Sequence, residues 1–332
     1  MTAPGISLFA HLATECSTLP STQGAHMARV LGRLAEAAVS IQHELAHAAL
    51  TGRLGVTGAK NTTGDGVKKL DDWGHDAVVA ALKASGGCGV LVSEEAEEPV
   101  EFPVPQGLIV CCDPVDGSSS LDVGGAVGTI FGVRPPRAKT PAAHAALGSG
   151  REQIAAGYVL YGPTTLFVYS IGRSVHGFTL DRAKGEFFLT HPNIRVPQRG
   201  KTYGINEGNV HTWHPGQRAF VEHLRTPDKA TGRPYSLRYS GAMVADVHRI
   251  LHDGGIFMYP ADVSDPAKPK PKLRLLYEVA PIAFIAEQAG GRASTGTAPA
   301  LDLVATDYHQ RAAILVGSPD DVTLAEQFYS RG

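Results

Sequence analysis

The sequence predicts a layered α/β fold, and three observations carry that reading. Short apolar runs read as buried strands that end in acid: 90–93 before Glu94-Glu95, and 107–112 before Asp113. Longer stretches, with Val30, Leu31, Leu34, Ala38, Ile41 and Leu45 near the 3.6 period, read as amphipathic helices. Residues 153–171 alternate around Gly162-Pro163 in the manner of a β-hairpin, and 174–190 suggest a second hairpin.

In chain order, residues 1–24 are mixed and read as loop, and 24–50 as helix. Within that helix lies His43-Glu44-Leu45-Ala46-His47, the H-E-x-x-H of zinc metalloproteases. A third ligand at the metzincin spacing is absent. The stretch reads as an exposed helix face, with a zinc centre at His43 and His47 as a remote alternative. Next, Gly64-Asp65-Gly66 places Asp65 on a loop before a helix over 68–83. Asp65 and Asp71 stand before and at the start of that helix, where a carboxylate caps N–H groups or serves a site.

Glu94 and Glu95 close the next strand. Two like charges ~4 Å apart cost on the order of 4 kcal/mol at a surface-like dielectric, so the pair needs solvent or a cation. The centre of the chain is Asp113-Pro114-Val115-Asp116-Gly117-Ser118-Ser119. Pro114 cannot continue a ladder, and Gly117 admits a ligand close to the backbone. Two carboxylates followed by a nest of amides hold a metal cation with a phosphate beside it. Strand ends are where α/β sheets build sites.

A strand follows over 127–133, then a Pro/Ala/Gly-rich loop over 134–150 and the hairpins. Residues 193–201, with Pro197 and Gly200, form the expected boundary between an N-terminal domain (1–200) and a C-terminal domain (201–332). The C-terminal domain reads as a helix over 215–224, a polar turn Arg238-Tyr239-Ser240-Gly241 and a helix over 242–252. A strand over 255–260 and a Pro/Lys loop over 261–272 come next. From Leu273 a helix runs to the Gly290-Gly291 cap. On it Glu278 either pairs with Arg274 at i−4 or points into an acidic metal site. A strand over 312–317 and a helix over 322–329 end the chain.

Composition excludes several classes. The chain has 332 residues and is 43% hydrophobic and 19% charged, which suits a globular protein rather than a disordered one. A net charge of −2 provides no basic field for nucleic acid. No apolar run reaches the ~20 residues of a membrane span. The N-terminus lacks a signal-peptide pattern, so a cytoplasmic location is expected. The four cysteines, Cys16, Cys88, Cys111 and Cys112, are too few and too scattered for a disulfide framework.

Seven stretches together resemble the class I fructose-1,6-bisphosphatase and sedoheptulose-1,7-bisphosphatase family, in the same order over most of 30–318. They are Asn61–Asp71, Ser93-Glu94-Glu95, Asp113–Ser119, Val127–Gly132, Arg238–Val244, Gly255–Pro260 and Lys272–Glu278. The resemblance implies an αβαβα sugar-phosphatase sandwich of two subdomains. It also implies Mg²⁺-dependent hydrolysis of the 1-phosphate of a ketose bisphosphate, with two or more Mg²⁺ (or Mn²⁺) per site. Carried over by position, the metal ligands are Asp65, Glu94, Asp113, Asp116, Glu278 and the Val115 carbonyl. Asp71 and Glu95 match the carboxylates that orient and deprotonate the attacking water. Gly117, Ser118 and Ser119 match the amide nest for the reacting phosphate, with Arg274 as the cation beside it. Asn206, Arg238, Tyr239, Tyr259 and Lys272 match the groups on the sugar and its far phosphate. In relatives the counterpart of Arg238 crosses a subunit boundary, which implies a homodimer or homotetramer.

Departures from the family narrow the expectation. The AMP-site signature is replaced by Thr22-Gln23-Gly24-Ala25-His26 and Gly107-Leu108, which puts AMP inhibition in doubt. The redox cysteines of plastid relatives have no counterpart. A tyrosine lining the sugar pocket of fructose-bisphosphatases is replaced by Asn209. Gly208-Asn209 and Glu278-Val279-Ala280-Pro281 look more like the sedoheptulose branch. Sedoheptulose 1,7-bisphosphate is therefore expected ahead of fructose 1,6-bisphosphate. An inositol-phosphate phosphatase shares the central motif but does not need the run from Lys272 to Glu278, and a silent sugar-phosphate-binding protein carries less weight because no metal carboxylate is lost.

Overall fold

A computed structural model of the chain describes residues 5–60, 66–137 and 140–331. Eight strands form a sheet in the order Glu186–Ile194, Val175–Asp181, Thr165–Ser170, Ala155–Tyr161, Val127–Arg134, Leu108–Asp116, Cys88–Ser93, Val100–Glu101. All neighbours in it are antiparallel except Cys88–Ser93 and Leu108–Asp116, which run parallel. A second sheet has the order Ser236–Leu237, Thr202–Gly204, Ile256–Tyr259, Ile314–Gly317, Arg292–Ser294.

The helices are α1 (Leu8–Cys16), α2 (Ser21–His47), α3 (Lys69–Ser85), the short α4 (Ala142–Ala145), α5 (Pro215–Arg225), α6 (Met243–Asp253), α7 (Ala280–Gln288) and α8 (Pro319–Tyr329). Period-two alternation assigns each sheet face to a helical layer. Leu108, Val110 and Cys112 join the core shared with α1–α3, while Ile109 and Cys111 join the core shared with α6 and α7. In the second sheet Phe257, Ile314 and Val316 face that same α6–α7 core, and Ile256, Met258 and Leu315 pack with α5 and α8. The result is five layers, αβαβα, as expected. All four cysteines are free and buried.

Local differences have local causes. Within the stretch expected to be loop, Leu8–Cys16 are helical, because Leu8, Leu12 and Cys16 recur at i, i+4 on α1 and are buried, and Ser7 caps its start. The central strand does not stop before Asp113 but runs to Asp116, with a register shift between Asp113 and Asp116. That irregularity absorbs Pro114, whose carbonyl accepts from Thr129 Oγ1 at 2.7 Å. The loop over 134–150 contains α4 and a two-residue strand, Gly148–Ser149. The helix expected from Leu273 begins instead as a strand, Leu273–Arg274, and a π-helical turn, Leu275–Val279, before α7. The widened turn sits where Glu278 meets the site.

Candidate active site

The ends of the parallel strand pair open onto a cavity of about 330 Å³. Its wall includes Asp71, Glu94, Glu95, Asp113, Val115 and Asp116, together with Lys272, Arg274 and Glu278. Carboxylate oxygens of Asp113, Asp116 and Glu278 lie within 4.8 Å of one another, and all three residues are buried. They are the one such ligand group among the described residues. Two are pinned from behind. Asp116 Oδ2 accepts from Val244 N at 2.9 Å, and Glu278 Oε2 from Arg274 N at 2.5 Å. Asp113 Oδ1 accepts from Val115 N at 2.9 Å. The Arg274 guanidinium, 7% exposed as a residue, contacts Glu94 Oε1 at 2.8 Å. Glu278 therefore belongs to the acidic set, and the Arg274 cation pairs with Glu94.

The electrostatics are those of a site whose acids outnumber its cations. Burial, then Glu94, Asp116 and Glu278, hold the Asp113 carboxyl well above the usual range. Burial, with Glu94 and Asp246 added and offset by amide donors from Val244 and Met243, pushes Asp116 up to about 7. Glu278 is raised well above normal by burial and Glu94, against the pull of Arg274. Burial, then Glu94, Asp71 and Asp72, pushes Glu95 up to about 8. Two cations on the cavity wall, Lys272 and Arg274, do not offset its six acids. Hard oxygen donors in this number suit a divalent cation such as Mg²⁺.

Other groups are positioned around this set. Asp71, 5% exposed, stands in the first turn of α3. Ser93 Oγ is 2.9 Å from His75 Nδ1 and accepts from Glu95 N at 3.4 Å, which holds the Glu94–Glu95 turn. Gly117 has φ +79°, and a Cβ there would lie 2.7 Å from that of Ala242. Only glycine meets both conditions. Ser118 and Ser119 open a 3₁₀ turn on the cavity wall, where the first N–H groups have no intrahelical acceptor.

A second cavity, of about 260 Å³, adjoins the first through Tyr259 and Lys272, which line both. It gathers Asn206 and Asn209 with Lys270, Lys272 and Arg311. Tyr239 lines the acidic cavity and hydrogen-bonds Tyr259, and its phenol is pushed up to about 12, chiefly by burial. Arg238 lies in neither cavity. It is exposed, and its guanidinium donates to Leu237 O at 2.8 Å. Asp65 falls outside the described residues. Sequence reasoning does not single out Lys270 or Arg311. Lys270 stands unmarked in the Pro/Lys loop, and Arg311 pairs in register with Arg274 across two short strands. The H-E-x-x-H histidines line neither cavity. Their ring centroids lie 4.4 Å apart at a tilt of 38° on the exposed end of α2, Glu44 is bonded to Arg53, and no third ligand gathers there among the described residues.

An acidic cleft that seeks cations, joined to a cationic pocket on an αβαβα frame, defines a phosphatase of phosphorylated small molecules. Comparisons with known proteins agree. The model of the fructose-1-6-bisphosphatase N-terminal domain matches residues 11–192 and that of its C-terminal domain residues 196–330. A class 1 fructose-1,6-bisphosphatase of Maridesulfovibrio salexigens is 42% identical over 98% of this chain and 97% of its own. One from Thermosynechococcus vestitus is 46% identical over 91% and 86%. The crystal structure of Leishmania major fructose-1,6-bisphosphatase in holo form superposes with a TM-score of 0.90 at 35% identity, covering 98% of this chain and 99% of that one. The chain belongs to the fructose-1,6-bisphosphatase family, and it is a phosphoric monoester hydrolase of sugar bisphosphates.

Proposed function

We propose that the chain hydrolyses fructose 1,6-bisphosphate to fructose 6-phosphate and inorganic phosphate. The observation that carries this reading is the pair of adjoining cavities, one acidic and one cationic, sharing Tyr259 and Lys272. A substrate with phosphates at both ends fits that polarity. The sequence alone favours sedoheptulose 1,7-bisphosphate. The relatives described above carry the six-carbon name, so that substrate stands first. Asn209 in the second cavity keeps the seven-carbon sugar as the alternative, because a side chain smaller than tyrosine leaves room for another carbon.

In this reading Glu94, Asp113, Asp116, Glu278 and the Val115 carbonyl, with Asp65, hold divalent cations, Mg²⁺ or Mn²⁺. When bound, such cations offset the phosphate charge and acidify the attacking water. Glu95 takes the water proton while Asp71 orients that water. The water oxygen bonds to phosphorus as the bond from phosphorus to the sugar oxygen breaks, and the leaving oxygen takes up a proton. Amides of Gly117, Ser118 and Ser119, with the Arg274 guanidinium, hold the equatorial oxygens. Asn206, Tyr239, Tyr259 and Lys272, joined by Lys270 and Arg311, hold the sugar and its far phosphate. The exposed Arg238 serves the cavity of a neighbouring subunit in a homodimer or homotetramer. An N-terminal domain over 1–200, a C-terminal domain over 201–332 and a cytoplasmic location complete the proposal. Among the described residues no helix is long and apolar enough to cross a membrane.

Phosphate release from both bisphosphates, with Mg²⁺, with Mn²⁺ and with EDTA, tests it. A higher kcat/KM on fructose 1,6-bisphosphate and loss of activity in EDTA are expected. A strong preference for the seven-carbon sugar reinstates the alternative, and full activity in EDTA refutes the metal assignment.

A further inference from the structure

Three imidazoles gather at a mouth away from the acidic cleft. His248 and His252 lie one turn apart on α6, and His191 projects from Glu186–Ile194, the edge strand of the eight-stranded sheet. The His252 ring centroid is 4.7 Å from that of His248 and 5.1 Å from that of His191. All three line a cavity of about 450 Å³, together with Arg249 and Asp253.

Two of the rings are already oriented. The buried Tyr158 hydroxyl lies 2.7 Å from His248 Nδ1, and Thr190 Oγ1 lies 2.9 Å from His191 Nδ1. When Nδ1–H donates to these hydroxyl oxygens, Nε2 carries the lone pair in each ring. That is the arrangement in which a second group orients a metal-ligating histidine. Neutral rings are also what the surroundings favour. Burial first, then His252 and His191, pushes His248 down to about 3. Burial and His191 push His252 down, against Asp253.

Two of the three ring-to-ring distances, 4.7 and 5.1 Å, are close to those of a coordinated set. With a metal–nitrogen distance of about 2.0–2.1 Å, ring centroids stand roughly 3.2 Å from the ion and about 5 Å apart at near-tetrahedral angles. Among the described residues only Asp113, Asp116 and Glu278 present ligand atoms already within 4.8 Å of one another. Closing the histidine set therefore takes a side-chain rotation. His252 is exposed and makes no hydrogen bond among the described residues, so it is free to turn.

We propose that His191, His248 and His252 form a binding site for an imidazole-seeking divalent transition metal, separate from the oxygen-lined cleft. Imidazole donors suit Zn²⁺, Ni²⁺ and Cu²⁺, whereas Mg²⁺ prefers carboxylate and water. An ion held there tethers the last turn of α6 to the edge strand.

Cu²⁺ is the probe, titrated into the full-length protein in excess Mg²⁺ and followed by electron paramagnetic resonance. One equivalent should bind with a three-nitrogen hyperfine pattern. His252→Ala and His191→Ala should each weaken binding at least about tenfold and lower the nitrogen count. A His43→Ala/His47→Ala double variant, which removes the other i,i+4 pair, should bind as the parent does. Circular dichroism melting confirms that each variant is folded. Copper uptake that persists in His252→Ala, that disappears in the His43/His47 variant, or that never saturates at one equivalent overturns the proposal.

Discussion

The guanidinium of Arg274 lies 2.8 Å from Glu94, while the backbone N–H of the same residue donates to Glu278 at 2.5 Å. One residue thus fixes two carboxylates by two different groups. Removing the side chain leaves Glu94 uncompensated but keeps the amide contact to Glu278. Breaking a buried pair on one side costs about 3–5 kcal/mol. Arg274→Gln should lower the melting temperature in EDTA and reduce kcat/KM by about 10²–10³-fold. Unchanged kinetics at saturating Mg²⁺ would show that Arg274 does not face the reacting phosphate.

The raised carboxyls predict a sign for the pH dependence of the metal-free protein. Glu95 at about 8 and Asp116 at about 7 bind protons in the folded state that they release when unfolded, near pH ~4. Their stabilising contribution is complete below that value and is lost as pH rises through 7 to 8. His248, at about 3, works oppositely, since its neutral folded form loses stability as pH falls below ~6.5. Between pH ~6.5 and 8 only the carboxyl effect remains. Calorimetry in EDTA should show a melting temperature that falls across this window, and excess Mg²⁺ should flatten the slope. A rising slope in EDTA contradicts the assignment.

In the proposed reaction Glu95, on the wall of the acidic cavity, takes the proton of the attacking water. Glu95→Gln keeps the shape and removes the base, so kcat should fall by about 10²–10⁴-fold with KM little changed. Isothermal titration with Mg²⁺ on the same variant checks that the metal site survives. Near-full turnover with intact metal binding gives the role to another group.

Gly117 combines φ +79° with a 2.7 Å approach of its would-be Cβ to Ala242. Gly117→Ala should cost roughly 1–2 kcal/mol in backbone strain alone. The steric conflict with Ala242 adds to that, and the amide nest shifts away from the phosphate. The expected readout is a larger fractional loss in kcat/KM than in thermal stability. The same substitution at Gly124, also at positive φ but with open space around its Cβ, should cost stability without comparable loss of activity.

Asn209 tests the substrate reading. Asn209→Tyr narrows the second cavity and should shift the kcat/KM ratio toward the six-carbon bisphosphate by about 10-fold or more, on the scale of one methylene in a shaped pocket. An unchanged ratio would mean that Asn209 does not sense sugar length.

Much of this is legible in the linear chain because it is periodic. The 3.6 repeat of Val30, Leu31, Leu34 and Ala38 marks α2, and alternation marks the hairpins. The Asp113–Ser119 motif marks the site, since carboxylates and a glycine that close together have few other uses. The first helix escapes such a reading because its buried residues, Leu8, Leu12 and Cys16, make too short a pattern to stand out from loop. The π-turn before α7 escapes it because widening a helix by one residue leaves the apolar composition unchanged.

By itself the sequence determined the layers, the acidic motif and the family, all of which are written in local spacing and residue type. Only the tertiary structure decided the partners: Glu278 with Asp113 and Asp116 rather than with the Arg274 side chain, Lys270 and Arg311 in the second cavity, and three histidines at one mouth. The physical reason is that charge interactions depend on distance through space. That distance is set by how helices and sheets stack, and a residue's place along the chain does not contain it.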